Sequence, residues 1–564
     1  MFKKQRRRIA EFTRNLLASM SRRIATSRPV RWVCRLRVVQ FLWRIVYLIW
    51  LFISKYVWWP VKRRIRRIRR FANRRDAFIW LATWGICGWM AWAILNEGIL
   101  KALMFGLLVA LVYVFISARS PMAGLMIWLL TSRFLAMYIV VKFIQGLPFF
   151  SGDRYCLIVL LGIYVLHARQ ASKDQTEAPN KLLHATMIVF ICAMMFASLL
   201  SEKPKSTGQA VLDSYGAPFL VYLFARRWVT DKKKLAFAFG ALMIVSLYFS
   251  LLGIPEYFTG KSFFGWRLGP GGIEGDIGVK RAQGPAESPT EFGLILTATG
   301  LLALAGFANE SQPRKRFIYA VVFSLAMLAI LLTLRRSIYL GTAVAFLFMF
   351  LSTKKTRKAV LAATAVGALV ILFRWGSLTS SKVYTSRLTS MQPIYQRAAV
   401  YATSWEIIKR HPVRGVGLLN FPAYSDQYLT GYKDISPLYG KGIATPHNGY
   451  LKVMVEAGLL AFIPYMAFLV MLIVTTVRAY KRAEGTGLLG KDGVIVFLAF
   501  TAAVFQTAIT EDLYWFSHYL MTVWMFYFGA IVGVHLKNEP ATQKAPVPSE
   551  PVYASARRLK SELA

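Results

Sequence analysis

The chain returns repeatedly to runs of about twenty residues with almost no charge, such as "AFIPYMAFLVMLIVTTV" and "LYWFSHYLMTVWMFYFGAIVGV". A helix of that length matches the hydrocarbon thickness of a bilayer. Inside lipid the backbone satisfies its own polar groups only as a helix or a closed barrel. Spans are expected at roughly 77–95, 98–118, 121–141, 155–167, 182–201, 210–225, 235–254, 291–307, 317–334, 337–352, 358–373, 451–477, 493–510 and 513–535. The fourth and sixth are short or polar enough to be re-entrant, so the fold class is an all-α polytopic membrane protein with about 12–14 transmembrane helices.

That reading resolves a contradiction in the composition. The chain is 56% hydrophobic, yet its formal net charge is +44. In a membrane protein the excess of Lys and Arg marks topology and lipid headgroup contact. With a cytoplasmic N-terminus, the turns "ARS", "ARQASKDQ", "RRWVTDKKK", "QPRKR", "TKKTRK" and "RAYKRAEG" all fall inside, as the positive-inside rule requires. The C-terminus is then cytoplasmic too.

Five regions follow. Residues 1–76 form a basic amphipathic arm that holds about a third of the Lys and Arg, interleaved with Trp43, Trp50, Trp58 and Trp59. Such an arm suits an anionic leaflet, and a polytopic chain makes nucleic acid an improbable partner. Residues 77–373 carry the first helices, 374–450 one large extracytoplasmic loop, 451–535 the last helices, and 536–564 a Pro-rich tail of disordered composition. Cys34, Cys87, Cys156 and Cys192 share no metal-ligand spacing and read as small core residues.

The outer side collects the residues with chemistry. His447 in "GIATPHNGY" stands at the entrance to a helix, where free N–H groups and the positive dipole end attract negative charge. It is either an unremarkable loop residue or a base for a hydroxyl group, since imidazole titrates near pH 6.5. His411 in "RHPVRGVGLLNF" reads as structural, in a tight turn with Gly415 and Gly417. Arg281, Arg335, Arg336 and Arg397 lie at apolar helix ends or on the loop. They are open to two readings: interfacial snorkelling, or planar forks for phosphate oxygens.

Two patterns are set aside. "GTGLLGKD" has Asp492 where a phosphate loop needs Ser or Thr, with no strand before it. Glu274 and Asp276 have the spacing of a paired-carboxylate cation site, but their glycine-rich setting favours a solvated turn, and no metal is assigned.

Read in order, "RAQGPAESPTEFG", "LLTLRRSIYLG", "QRAAVYATSWEIIKRHPVRGVGLLNF" and "PHNGYLKVMVEAGLL" resemble segments of the O-antigen ligase family, which includes lipopolysaccharide O-antigen ligases and related repeat-unit and exopolysaccharide polymerases. The family signature of His, then Asn, Ser or Gln, nine residues and Gly fits His447, Asn448 and Gly458. Ala461 stands where a Thr is usual, and Arg335-Arg336-Ser337 where the family has Ser-Arg-Gly, so Arg336 is the closer equivalent and Arg335 an added charge.

The resemblance implies a glycosyltransferase-C-like fold without metal or other cofactor, in the bacterial inner membrane. The implied donor is a glycan on undecaprenyl pyrophosphate, and the acceptor a lipid A-core or a growing polysaccharide. It implies His447 as the catalytic residue, with Arg281, Arg336, Arg397, Arg335 and Asn448 binding pyrophosphate or glycan. The alternative from another class is a transporter or flippase of the same lipid-linked sugars.

Overall fold

The computed structural model describes residues 99–138, 140–141, 150–170, 181–260, 281–352, 354–373, 392–428, 445–513 and 518–536. The basic arm, the first expected span, Glu274, Asp276 and the C-terminal tail lie outside these residues. The chain divides into two units, Met1–Val109 and Ala110–Ala564, and the packing below is that of the second.

A helix covers every expected span from 98–118 onward. They are α1 (Ile99–Arg119), α2 (Pro121–Tyr138), α3 (Gly152–Gln170), α4 (Lys181–Leu199), α5 (Pro204–Val211), α6 (Ala217–Trp228), α7 (Lys232–Thr259), α8 (Pro289–Asn309), α9 (Pro313–Leu331), α10 (Arg336–Ser352) and α11 (Lys354–Phe373). The loop region adds α12 (Gln392–Arg410) and α13 (Phe421–Tyr428), followed by α14 (Gly449–Arg482), α15 (Lys491–Ala508) and α16 (His518–His535). Between α2 and α3, Val140–Val141 pairs antiparallel with Phe150–Ser151. The two spans expected to be short are full helices: α3 has 19 residues, and α5 and α6 are joined by a π-helical turn, Leu212–Gly216. Arg154 at the start of α3 and Asp213 in that turn form an ion pair.

Local chemistry sets the helix starts. Asp231 caps α7 through Lys234 N at 2.9 Å, and Ser288 caps α8 through Glu291 N at 3.1 Å, with Pro289 at the first helical position. Helix α8 is buried on nearly all sides and packs against α7, α9 and α15. Around it, Leu182, Ile188, Phe196, Leu340, Leu347 and Ile463 stay exposed. A water-facing surface would not carry so many large apolar side chains. Among the described residues, α4, α7, α8, α14 and α15 are each long and apolar enough to cross a membrane. The chain is an all-α polytopic membrane protein.

Contacts sort the connections into two ends. At one, Asn309 Nδ2 donates to Asp492 Oδ2 at 2.8 Å, which gives "GTGLLGKD" a structural use as the turn into α15. At the other lie the arginine turn before α10, α12, the entrance of α14 and the segment after α15. Of the cysteines, Cys156 is buried as expected, whereas Cys192 faces outward from α4.

Candidate functional site

The turn after α12 is laced into a break in α14. Gly458 has φ 65° and ψ −170°, which opens the helix ladder there. The exposed donors and acceptors pair with the turn: Leu459 N with Pro412 O at 2.8 Å, Leu460 N with Val413 O at 3.0 Å, Val416 N with Val455 O at 3.0 Å, and Gly417 N with Glu456 O at 2.9 Å. The signature glycine is therefore required by backbone geometry. His411 stacks edge-on against Tyr424, 5.3 Å between centroids, in keeping with its structural reading.

The start of α14 is set by its own cap. Asn448 is the N-cap, and its side chain accepts from Tyr450 N and Leu451 N, both at 3.0 Å. Two N–H groups expected to be open to an anion are thus taken by Asn448, whose observed job is to cap the helix. His447 precedes it with φ 51° and an exposed side chain. The left-handed region is unusual for a histidine. Pro446, with its fixed φ, stands before it.

Beneath this loop runs a chain of polar contacts. Thr445 Oγ1 donates to Asp512 Oδ2, and Lys452 Nζ donates to Thr445 Oγ1 at 3.2 Å. Lys452 also pairs with Glu456 Oε1 at 3.7 Å, and both side chains are buried.

Next to Asp512, Glu511 draws in the arginines. Its Oε1 lies 3.9 Å from a guanidinium nitrogen of Arg335 and 3.9 Å from one of Arg397, and it accepts from Ser337 Oγ at 3.3 Å. Tyr401, one turn after Arg397 on α12, donates to Ile509 O at 2.7 Å. Burial pushes its phenol above the usual range, only partly opposed by Asn448 and Arg397 beside it, so it remains a neutral donor. Arg335, which the sequence ranks as an added charge, is thus a member of the cluster, while Arg336 begins α10 alongside it.

Arg281 joins through the backbone. Ala282 N donates to Leu332 O at 2.9 Å, which ties the Arg281 segment to the turn carrying Arg335 and Arg336; Arg281 itself is buried. Charges from three helices hold the rest of its loop. Glu256 Oε2 accepts from Gln283 N at 3.1 Å and Gly284 N at 2.7 Å, and Arg133 reaches Pro285 O at 2.7 Å and Glu287 Oε1 at 2.6 Å. Glu291 accepts from Glu287 N and, with its other oxygen, from Tyr519 N and Leu520 N at the start of α16. The motif "RAQGPAESPTEFG" is thus largely a pinned scaffold for its first residue.

Away from these residues, a small apolar pocket opens between α4, α14 and α16, lined by Met187, Phe190, Tyr215, Phe468 and Trp524. None of the residues singled out by sequence lines it.

Sequence reading finds Arg335, Arg397 and Asn448 around one point but misses Glu511, Asp512, Lys452 and Arg133. Arg133 and Lys452 carried a signal, as charges inside apolar runs. Glu511-Asp512 carried a weaker one, two adjacent acids in a chain with only 26 Asp and Glu against 70 Lys and Arg.

No curated protein sequence matches the chain. Residues 320–466, roughly a quarter of the chain, match the family model described as O-antigen ligase; the match includes Arg335, Arg336, Arg397, His447, Asn448 and Gly458 and ends before Glu511 and Asp512.

Proposed function

We propose that the protein is a membrane glycosyltransferase of the O-antigen ligase or polysaccharide polymerase type. It takes a glycan from an undecaprenyl-pyrophosphate donor to an acceptor hydroxyl, on a lipid A-core or a growing polysaccharide, at the outer face of the inner membrane, with both termini cytoplasmic. The observation that carries the reading is the meeting of Arg335 and Arg397 on Glu511, next to the Asp512 that holds the His447 loop, within and beside the matched O-antigen ligase region.

The chemistry follows from the residue types. Arg281, Arg336 and Arg335 bind the pyrophosphate, whose oxygens suit planar guanidinium forks. Arg397 aligns the donor from the loop helix. The acceptor oxygen attacks the anomeric carbon as the bond to the pyrophosphate breaks. The leaving group keeps the electron pair, its growing charge is offset by the arginines, and the acceptor proton passes to His447. Asn448 holds His447 at the helix entrance. The exposed His447 side chain supports this role, because a base for an incoming hydroxyl must be reachable. Direct displacement inverts the anomeric centre.

The test is glycan transfer in liposomes by wild type and His447→Ala, with a lipid-linked donor. Transfer by wild type, lost by about a hundredfold or more in the folded variant, is the expected result. Full activity in the variant refutes the role of His447. Movement of donor across the bilayer without a new glycosidic bond makes the protein a transporter.

A further inference from the structure

The segment Ile509–Asp512 meets Tyr401, Arg335, Arg397 and Thr445, yet no site residue expected from sequence lies on it and the matched family region stops before it. We infer that Glu511 and Asp512 are positioning residues that set two halves of the site separately: Glu511 aims Arg335 and Arg397 at one anion, and Asp512 sets the loop that carries His447. This rests on the reading of the protein as a transferase with a pyrophosphate-linked donor.

Glu511 has the geometry of a support placed behind the arginines. Its side chain is 17% exposed, against 29% for Arg335 and 35% for Arg397, so the carboxylate lies deeper than the cations it draws together. The two guanidinium groups come from different elements and repel each other. One shared oxygen, itself oriented by Ser337 Oγ, offsets that repulsion and holds the two forks close enough to meet a single anion. Removing the carboxylate charge lets the forks separate, which weakens anion binding and leaves the histidine in place.

Asp512 acts on the other half. It holds Thr445, and Thr445 also receives the buried Lys452. Two residues further on is His447, with a left-handed backbone and an exposed ring. Its position depends on the ends of a short loop, held by Asp512 at Thr445 and by the Asn448 cap on the far side. Releasing Thr445 moves the histidine and leaves the arginines paired.

The two carboxylates are neighbours, yet their removal has different kinetic effects. The experiment compares full-length wild type, Glu511→Gln and Asp512→Asn in detergent, by calorimetric binding of inorganic pyrophosphate and by glycan transfer from a lipid-linked donor. Glu511→Gln weakens pyrophosphate binding and raises donor KM about tenfold, the factor expected for a charge-assisted contact, with kcat within about twofold. Asp512→Asn lowers kcat about tenfold or more with pyrophosphate affinity unchanged.

In an Arg335→Gln/Arg397→Gln background, Glu511→Gln has no further effect on pyrophosphate affinity, because it acts through those arginines. Thr445→Val, which removes one hydroxyl, reproduces the kcat loss if Asp512→Asn fails to fold. Equal effects of both variants on KM and kcat, no effect, or tighter pyrophosphate binding by Glu511→Gln would overturn the inference. A wild type that neither binds pyrophosphate nor transfers glycan overturns the functional reading instead.

Discussion

Replacing Gly458 by Ala tests whether the signature glycine is a backbone requirement. At φ 65° and ψ −170° an L side chain is strained, by about 1–3 kcal/mol. The new Cβ would also stand 2.2 Å from Val413 O, which belongs to a main chain bonded on both sides of the break. Relieving the clash pulls the turn away from α14 and strains the Leu459–Pro412 and Leu460–Val413 hydrogen bonds, each worth about 1 kcal/mol net. The sum is a loss of about 3–5 kcal/mol. Gly485→Ala supplies the control, because Gly485 has a similar φ of 75° with nothing within 4 Å of its Cβ, so only backbone strain of about 1–2 kcal/mol applies. Equilibrium unfolding of both variants in mixed detergent micelles gives the difference directly. A Gly458→Ala variant within about 1 kcal/mol of Gly485→Ala would refute the lacing argument, leaving the glycine to be explained by ligand approach.

Asn448→Ala removes an N-cap that serves two N–H groups and is expected to cost about 1 kcal/mol of unfolding free energy, read in the same micelle titration. Asn448→Asp, which retains the acceptor, should recover most of it. Arg133→Met strands Glu287 beside the buried Glu291, with a cost of about 3 kcal/mol in the same titration. It should also weaken pyrophosphate binding, since the loop that begins at Arg281 loses two of its bonds. Tyr401→Phe removes one hydrogen bond to Ile509 O and should lower the unfolding free energy by about 1 kcal/mol, with the loss of transfer activity much smaller than in His447→Ala.

The sequence by itself determined the class of molecule, because apolar runs of bilayer length admit almost no alternative to helices. It also located α4 and α8 to within about two residues at each end, since apolar runs stop at polar residues, and the turn at Gly415 and Gly417, since prolines and glycines act over a few residues. His447 was legible at a helix entrance, and Asn448 and Gly458 joined it as a spaced group only through the family resemblance; the structure gives them separate jobs, a cap and a break within α14.

Tertiary structure decided what no local pattern carries. Glu511 meets Arg335 and Arg397 from three separate stretches of chain, and Asp512 reaches Thr445 across α14 and α15. Hydropathy treats each of these as a solitary charge beside a helix. The same holds for Arg133, whose partners Pro285 and Glu287 lie far along the sequence. Side chains that bond within a turn of their own helix are readable in the chain, whereas a charge satisfied by another helix becomes visible only once the helices have packed.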